Sequence, residues 1–218
     1  MEALIVGASG LTGSFLVKEL IESGKYSNVV SLVRKKGAYT HDRLIQIETD
    51  FHQTPLLDRW SEIKHVFCCL GSTIKKAGSK EAFRFVDFEI PLALAKEAKK
   101  NNVDHFLIIT ALGANAESSI FYNQVKGELE TELKKINFPR LSILQPSLLL
   151  GDRKEERRGE KIGQWLAPFL SLILIGGLAK YKPIQAKAVA HAMQNIAWRT
   201  DAGDITYHSG KIKELGNE

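Results

Sequence analysis

The first 23 residues limit most strongly how this chain can fold. ALIVGA, at 3–8, is a short apolar run that closes on glycine. LTGSFLVKELIES, at 11–23, follows with Leu11, Phe15, Leu16, Leu20 and Ile21 at helical spacing. The junction reads GASGLTG, with glycines at 7, 10 and 13. Gly7 permits the tight turn, Gly10 lets backbone approach a pyrophosphate, and Gly13 lets the helix pack hard on the strand. The N–H groups and positive dipole end of that helix then face an anion. A nucleoside-triphosphate loop is excluded, because Ser14 stands where its lysine would follow the last glycine.

The alternation continues beyond this unit. VVSLVR (29–34), RLIQIE (43–48), HVFCCLG (65–71), HFLIIT (105–110) and RLSILQP (140–146) read as further strands. Helical patterns cover 79–100, with Pro91 kinking it, and 121–136 and 186–199. Strands apolar on both faces, alternating with helices, predict an α/β fold: a doubly wound parallel sheet with helices on both faces. At 218 residues one domain is expected over 1–218, with 146–185 as a short substrate-side loop and apolar helix. Such sheets bind ligands beyond the carboxyl ends of their strands, where strand order reverses.

The formal charge of +5 favours anionic partners. The basic residues fall in short groups, such as Arg34-Lys35-Lys36 and Lys75-Lys76, and form no stripe interleaved with aromatics, so nucleic acid is not expected. Cys68 and Cys69 are adjacent on a strand and point to opposite faces, and the six histidines have no ligand spacing, so no disulfide or metal site is expected. Reduced thiols and an N-terminus that enters a strand at once give a cytoplasmic expectation. The apolar stretch 162–179 contains Gln164, Pro168 and Gly176-Gly177, so it reads as a pocket-covering helix before a membrane span, with peripheral membrane contact as the lesser reading.

Which dinucleotide follows from the second strand. It ends at Arg34, 21 residues past Gly13, with Lys35 and Lys36 behind it. An acid there would suit the ribose of NAD, whereas a guanidinium forks onto a 2′-phosphate, so NADP(H) is preferred over NAD(H). Asp50 ends the third strand, where its carboxylate is placed for the adenine amino group or for a plain turn. Leu70-Gly71 closes the fourth strand, where backbone must pass a ligand closely.

Together these segments resemble the short-chain dehydrogenase/reductases. The resemblance is to the atypical or extended, Rossmann-like members with GxxGxxG, related to the HIV Tat-interacting-protein-like NADPH oxidoreductases. It is carried by GASGLTG, CCLGSTIKKAGSKEAFRFVD (68–87), YNQVKGELE (122–130), PSLLLGDRKEERRGE (146–160) and PIQAKAVAHAM (183–193), in that order. It implies that Ser9, Gly10, Leu11 and Thr12 lie on the pyrophosphate, Arg34 and Lys35 on the 2′-phosphate, and Leu70 and Gly71 along the adenosine. It places Leu149 near the nicotinamide, Arg157 on the cofactor, and Tyr122 and Lys126 as the catalytic pair.

Tyr122 and Lys126 stand one helical turn apart. In the resemblance Tyr122 protonates a carbonyl oxygen as hydride reaches its carbon. A free phenol ionises near about pH 10, and a neighbouring ammonium favours the phenolate. The chain departs from the pattern at two points. Thr110 stands where many members orient the substrate with serine, and Asp87 stands where extended members often have asparagine. The readings are therefore an NADP(H)-dependent oxidoreductase acting on a small carbonyl or hydroxyl substrate, or an NADP(H)-binding redox-sensing module read by a protein partner. A nucleotide-sugar epimerase fits poorly, because little chain follows Pro146.

Overall fold

The computed structural model describes residues 1–52, 57–151 and 182–217. Seven strands form one parallel sheet: β1 (Glu2–Val6), β2 (Val29–Val33), β3 (Leu44–Glu48), β4 (Ile63–Cys68), β5 (His105–Ile109), β6 (Arg140–Gln145) and β9 (Gly203–His208). Their order is β3-β2-β1-β4-β5-β6-β9, with every pairing parallel. The order reverses between β1 and β4, which opens a crevice beyond their carboxyl ends. A two-stranded ribbon, β7 (Leu149–Leu150) with β8 (Ile184–Gln185), lies outside the sheet.

Both faces are covered. On one, α1 (Leu11–Glu22), α6 (Ala186–Ala197) and α7 (Ser209–Leu215) bury Leu16, Leu20, Val189, Met193 and Ile212 against Ile5, Phe67 and Leu144. On the other, α4 (Ile90–Lys100) and α5 (Phe121–Lys135) bury Leu94, Ala98, Leu129 and Leu133 against Leu4, Val66 and Ile143. Each face of each central strand therefore has its own core, which is why β1 is buried at every position. Asn102 and Asn137, past the ends of α4 and α5, adopt positive φ of 57° and turn the chain back to β5 and β6.

Two features differ from the sequence expectation. The pattern over 79–100 is not one helix kinked at Pro91. It divides into α3 (Lys80–Arg84), a π-helical turn (Phe85–Glu89) and α4, and a short α2 (Ile74–Ala77) precedes it. Pro91 sits in the first turn of α4 directly after the π-turn, and the backbone stays helical from one into the other. A seventh strand, β9, and α7 follow the last expected helix. The apolar stretch 162–179 lies outside the described residues; among those described, no helix is long and apolar enough to cross a membrane.

At the amino end of the sheet, Arg140 donates to His65 Nε2 (3.3 Å). His65 Nδ1–H then donates to the Tyr26 hydroxyl (2.6 Å), and His105 Nε2 lies 2.8 Å from the Ser142 hydroxyl. Burial, reinforced by the Arg140 cation, pushes His65 down to about 4 and His105 down to about 3. Unfolded imidazoles protonate near about 6.5, so below that pH the unfolded chain binds more protons than the folded one. Stability should therefore fall by roughly 2–4 kcal/mol between pH 7 and pH 5. Urea unfolding at the two pH values checks this, and the drop should shrink in His65→Gln.

Candidate active site

The glycine turn is built by contact. Gly7 has φ of 86°, and a Cβ there would meet the Cys69 carbonyl carbon and oxygen at 2.6 Å. A Cβ on Gly13 would lie 2.2 Å from the Gly7 oxygen, which also accepts from Gly10 N–H at 2.9 Å. Gly10 caps α1 with no side-chain hydrogen bond, and the first turn contains no acid. The N–H groups that open α1 are thus left to a ligand, and the positive end of the dipole is uncompensated. These residues fit a pyrophosphate. Ser9 is exposed at the turn, Thr12 is buried, and half-buried Leu11 lies beside Gly151, the residue that follows Leu149–Leu150.

Arg34 and Lys35 follow β2 and are exposed; among the described residues neither is paired with an acid. Glu48 accepts the Lys36 N–H at 2.9 Å and so fixes the turn that carries them. Asp50 is also exposed, but its Oδ1 accepts from His52 N–H at 3.0 Å, closing a turn in which Phe51 takes φ of 63°. Leu70 is half-buried and Gly71 exposed, directly after the Cys69–Gly7 contact. Arg157 lies outside the described residues.

Tyr122 and Lys126 sit in the first two turns of α5. The Tyr122 ring packs against Phe83 at 5.4 Å and is half-buried. Among the described residues its hydroxyl has no hydrogen-bond partner. Gly127 lets the preceding loop lie on the helix: a Cβ there would come within 2.2 Å of Ala116 N and the Asn115 carbonyl carbon. Asn115 N–H then donates to the Asn123 carbonyl at 3.0 Å.

Lys126 is only 2% exposed and its ammonium lies 2.8 Å from Asp87 Oδ1, with Asp87 fully buried on the π-turn. The two form a buried ion pair. Asp87 Oδ2 accepts from Ser72 N–H at 2.9 Å. Burial opposes the ammonium, but Asp87 and then Tyr122 outweigh it and hold Lys126 above the ordinary lysine range. Burial pushes the nearby Cys68 thiol up to about 11, so it stays neutral.

Thr110 ends β5 with its hydroxyl donating to Glu130 Oε1 at 2.5 Å. Glu130, 7% exposed, also accepts from Gln145 Nε2 at 3.0 and 2.9 Å. A carboxylate can only accept here, so the one Thr110 proton is directed into this network and not toward a substrate oxygen. Sequence reasoning missed Glu130 and Gln145, having read 121–136 as a helix and singled out only Tyr122 and Lys126 on it. The signal available was position: Glu130 lies one turn past Lys126, on the same face.

The crevice thus brings together Gly7, Gly10, Gly13, Leu70, Gly71, Tyr122 and Lys126, and leaves Arg34, Lys35 and Asp50 at its outer end. A family model described as HIM1 matches residues 20–170. The rat protein HTATIP2 is 36% identical over 219 residues, covering 98% of this chain and 88% of its own. A Candida albicans protein named FMP52, mitochondrial, is 32% identical over 216 residues, covering 94% and 91%. The structure of MoeE5 in complex with UDP-glucose and NAD superposes with a TM-score of 0.71 at 17% identity, covering 99% of this chain and 79% of that one. At that identity the likeness is one of fold. The mitochondrial names of the fungal relatives overturn the cytoplasmic expectation.

Two of the helical glycines, Gly127 and Gly210, separate packing from propensity. Gly127→Ala should lower stability by about 1–3 kcal/mol, since its obstruction is backbone. Gly210→Ala, with nothing within 4 Å, should be neutral or stabilising by up to about 1 kcal/mol. Denaturant midpoints of the two variants check this pair.

Proposed function

Because the chain belongs to the HIM1 family, as an atypical short-chain dehydrogenase/reductase resembling rat HTATIP2, we propose that it is an NADP(H)-dependent oxidoreductase interconverting a small carbonyl compound and its alcohol. One observation carries the reading. An unbroken line of contacts runs from Gly7 to Cys69, through Leu70 and Gly71 to Asp87, and from Asp87 to Lys126. It ties the phosphate-binding turn and the tyrosine–lysine pair into one crevice.

In this reading the backbone N–H groups around Ser9, Gly10, Leu11, Thr12 and Gly13 bind the pyrophosphate. Arg34 and Lys35 hold the 2′-phosphate, and Asp50, Leu70 and Gly71 line the adenosine. Leu149 and Arg157 approach from the 146–185 segment, which forms the substrate side of a single domain. The bound nicotinamide supplies or accepts the hydride. Tyr122 gives its proton to the carbonyl oxygen as the carbon is reduced, and takes it back in the reverse direction. Lys126 stabilises the phenolate left behind and orients the ribose. Thr110 contributes through Glu130 and Gln145, by fixing the end of β5 beside α5.

A second reading is favoured by the engaged Thr110 hydroxyl: a module that holds NADP(H) as a redox-sensing ligand, with little turnover, for a protein partner. Turnover separates the two. Tyr122→Phe should lower carbonyl reduction by roughly 10²–10⁴-fold while NADPH binding persists; undiminished turnover would place the acid elsewhere. NADPH should raise the melting temperature more than NADH. Arg34→Glu should weaken NADPH at least about tenfold, equivalent to about 1.4 kcal/mol, with NADH little changed. Equal responses to the two cofactors in the parent protein would remove the NADP preference.

A further inference from the structure

Position 87 carries a wholly buried aspartate on the π-turn, and the structure gives that carboxylate a physical consequence. A lysine as buried as Lys126 pays a large desolvation cost for its charge. An asparagine at 87 would offer a dipole. Asp87 offers a full countercharge at 2.8 Å, itself wholly buried. The π-turn over Phe85–Glu89 adds a residue per turn and aims Asp87 inward, and the Ser72 N–H locks its second oxygen. The carboxylate is therefore fixed from two sides before any ligand arrives.

We propose that Asp87 is a positioning residue: it keeps Lys126 an ammonium in its dry site and points that charge at the Tyr122 end of α5. The inference rests on the Tyr122–Lys126 reading above, and it assigns to Asp87 the role of a permanent counter-ion. The groups that face the ammonium are few. Asp87 comes from the π-turn, Tyr122 from α5, and the neutral Cys68 thiol from β4, while Glu130, one turn further along α5, is taken up by Thr110 and Gln145. Among the described residues, Asp87 is thus the one carboxylate in contact with Lys126. With Asp87 removed, burial is opposed only by Tyr122 and Cys68, and the lysine shifts toward its neutral form. A neutral amine no longer supports the phenolate, so proton transfer at Tyr122 should fail as pH rises through the new lysine titration.

The test is a ¹³C NMR titration of the lysine ε-carbons of the full chain without cofactor, with Lys126 assigned by its loss in Lys126→Met. In the parent the Lys126 signal should hold its ammonium shift through the neutral range. In Asp87→Asn it should titrate at lower pH, and the pH profile of NADPH-dependent reduction should fall at that same new midpoint. Identical Lys126 titrations in both proteins would overturn the proposal. Should Asp87→Asn fail to fold, the double variant with Lys126→Met decides. Recovered folding shows that the uncompensated ammonium was the fault, and a double variant as unstable as the single overturns the counter-ion role. The titration needs no substrate, so a protein in which Lys126 responds but no carbonyl is turned over disproves the oxidoreductase reading and leaves this inference standing.

Discussion

Everything in this fold is referred to one close approach: the backbone of Gly7 against the carbonyl of Cys69. Those residues leave β1 and β4, the two strands between which strand order reverses. Their contact decides where the two halves of the sheet part and how wide the crevice is. No side chain fits at Gly7, because a Cβ would overlap Cys69 at 2.6 Å, and none fits at Gly13, because it would overlap Gly7 itself. The turn is thus held from both sides, and α1 starts with its amino end at the floor of the crevice. A looser packing would bury the same apolar area and lose the site.

The two ends of the sheet solve the problem of buried polarity in opposite ways. At the amino ends, His65 and His105 are kept neutral, shared among Tyr26, Ser142 and Arg140. At the carboxyl ends, charge is kept and compensated. Asp87 faces Lys126, and Glu130 takes three hydrogen bonds from Thr110 and Gln145. Neutral burial makes a scaffold, whereas compensated charge in a dry place keeps a strong local field for whatever binds there.

How much of this was legible in the residues follows from the range of the interactions involved. The glycine turn, the first six strands of the sheet and the spacing of Tyr122 and Lys126 depend on local sequence, and they are plain in it. β9 was not: GDITYH is polar, half exposed and at the sheet edge, so it lacks the apolar run that marked the others. The π-turn was hidden behind Pro91, a louder breaker that turned out to be accommodated. Glu130 was hidden by its helix, since a carboxylate among lysines reads as surface until β5 and β6 are placed beside it. The cellular address could not be read from thiol chemistry at all.

The buried pair between Asp87 and Lys126 bears on why the chain has this sequence at all. Two charges taken out of water seldom repay their desolvation, and well-packed apolar residues at both positions would commonly serve stability as well or better. Stability therefore does not explain the pair, nor the π-turn that aims it, nor the further polar triad of Thr110, Glu130 and Gln145 along the same helix. Both clusters lie on the inward face of α5, the helix that carries Tyr122. A helix selected only to cover the sheet would present leucine there, as it does at Leu129 and Leu133. The polar face of α5 is an expense located where proposed proton transfer needs a fixed charge, and nowhere else along that helix is one buried.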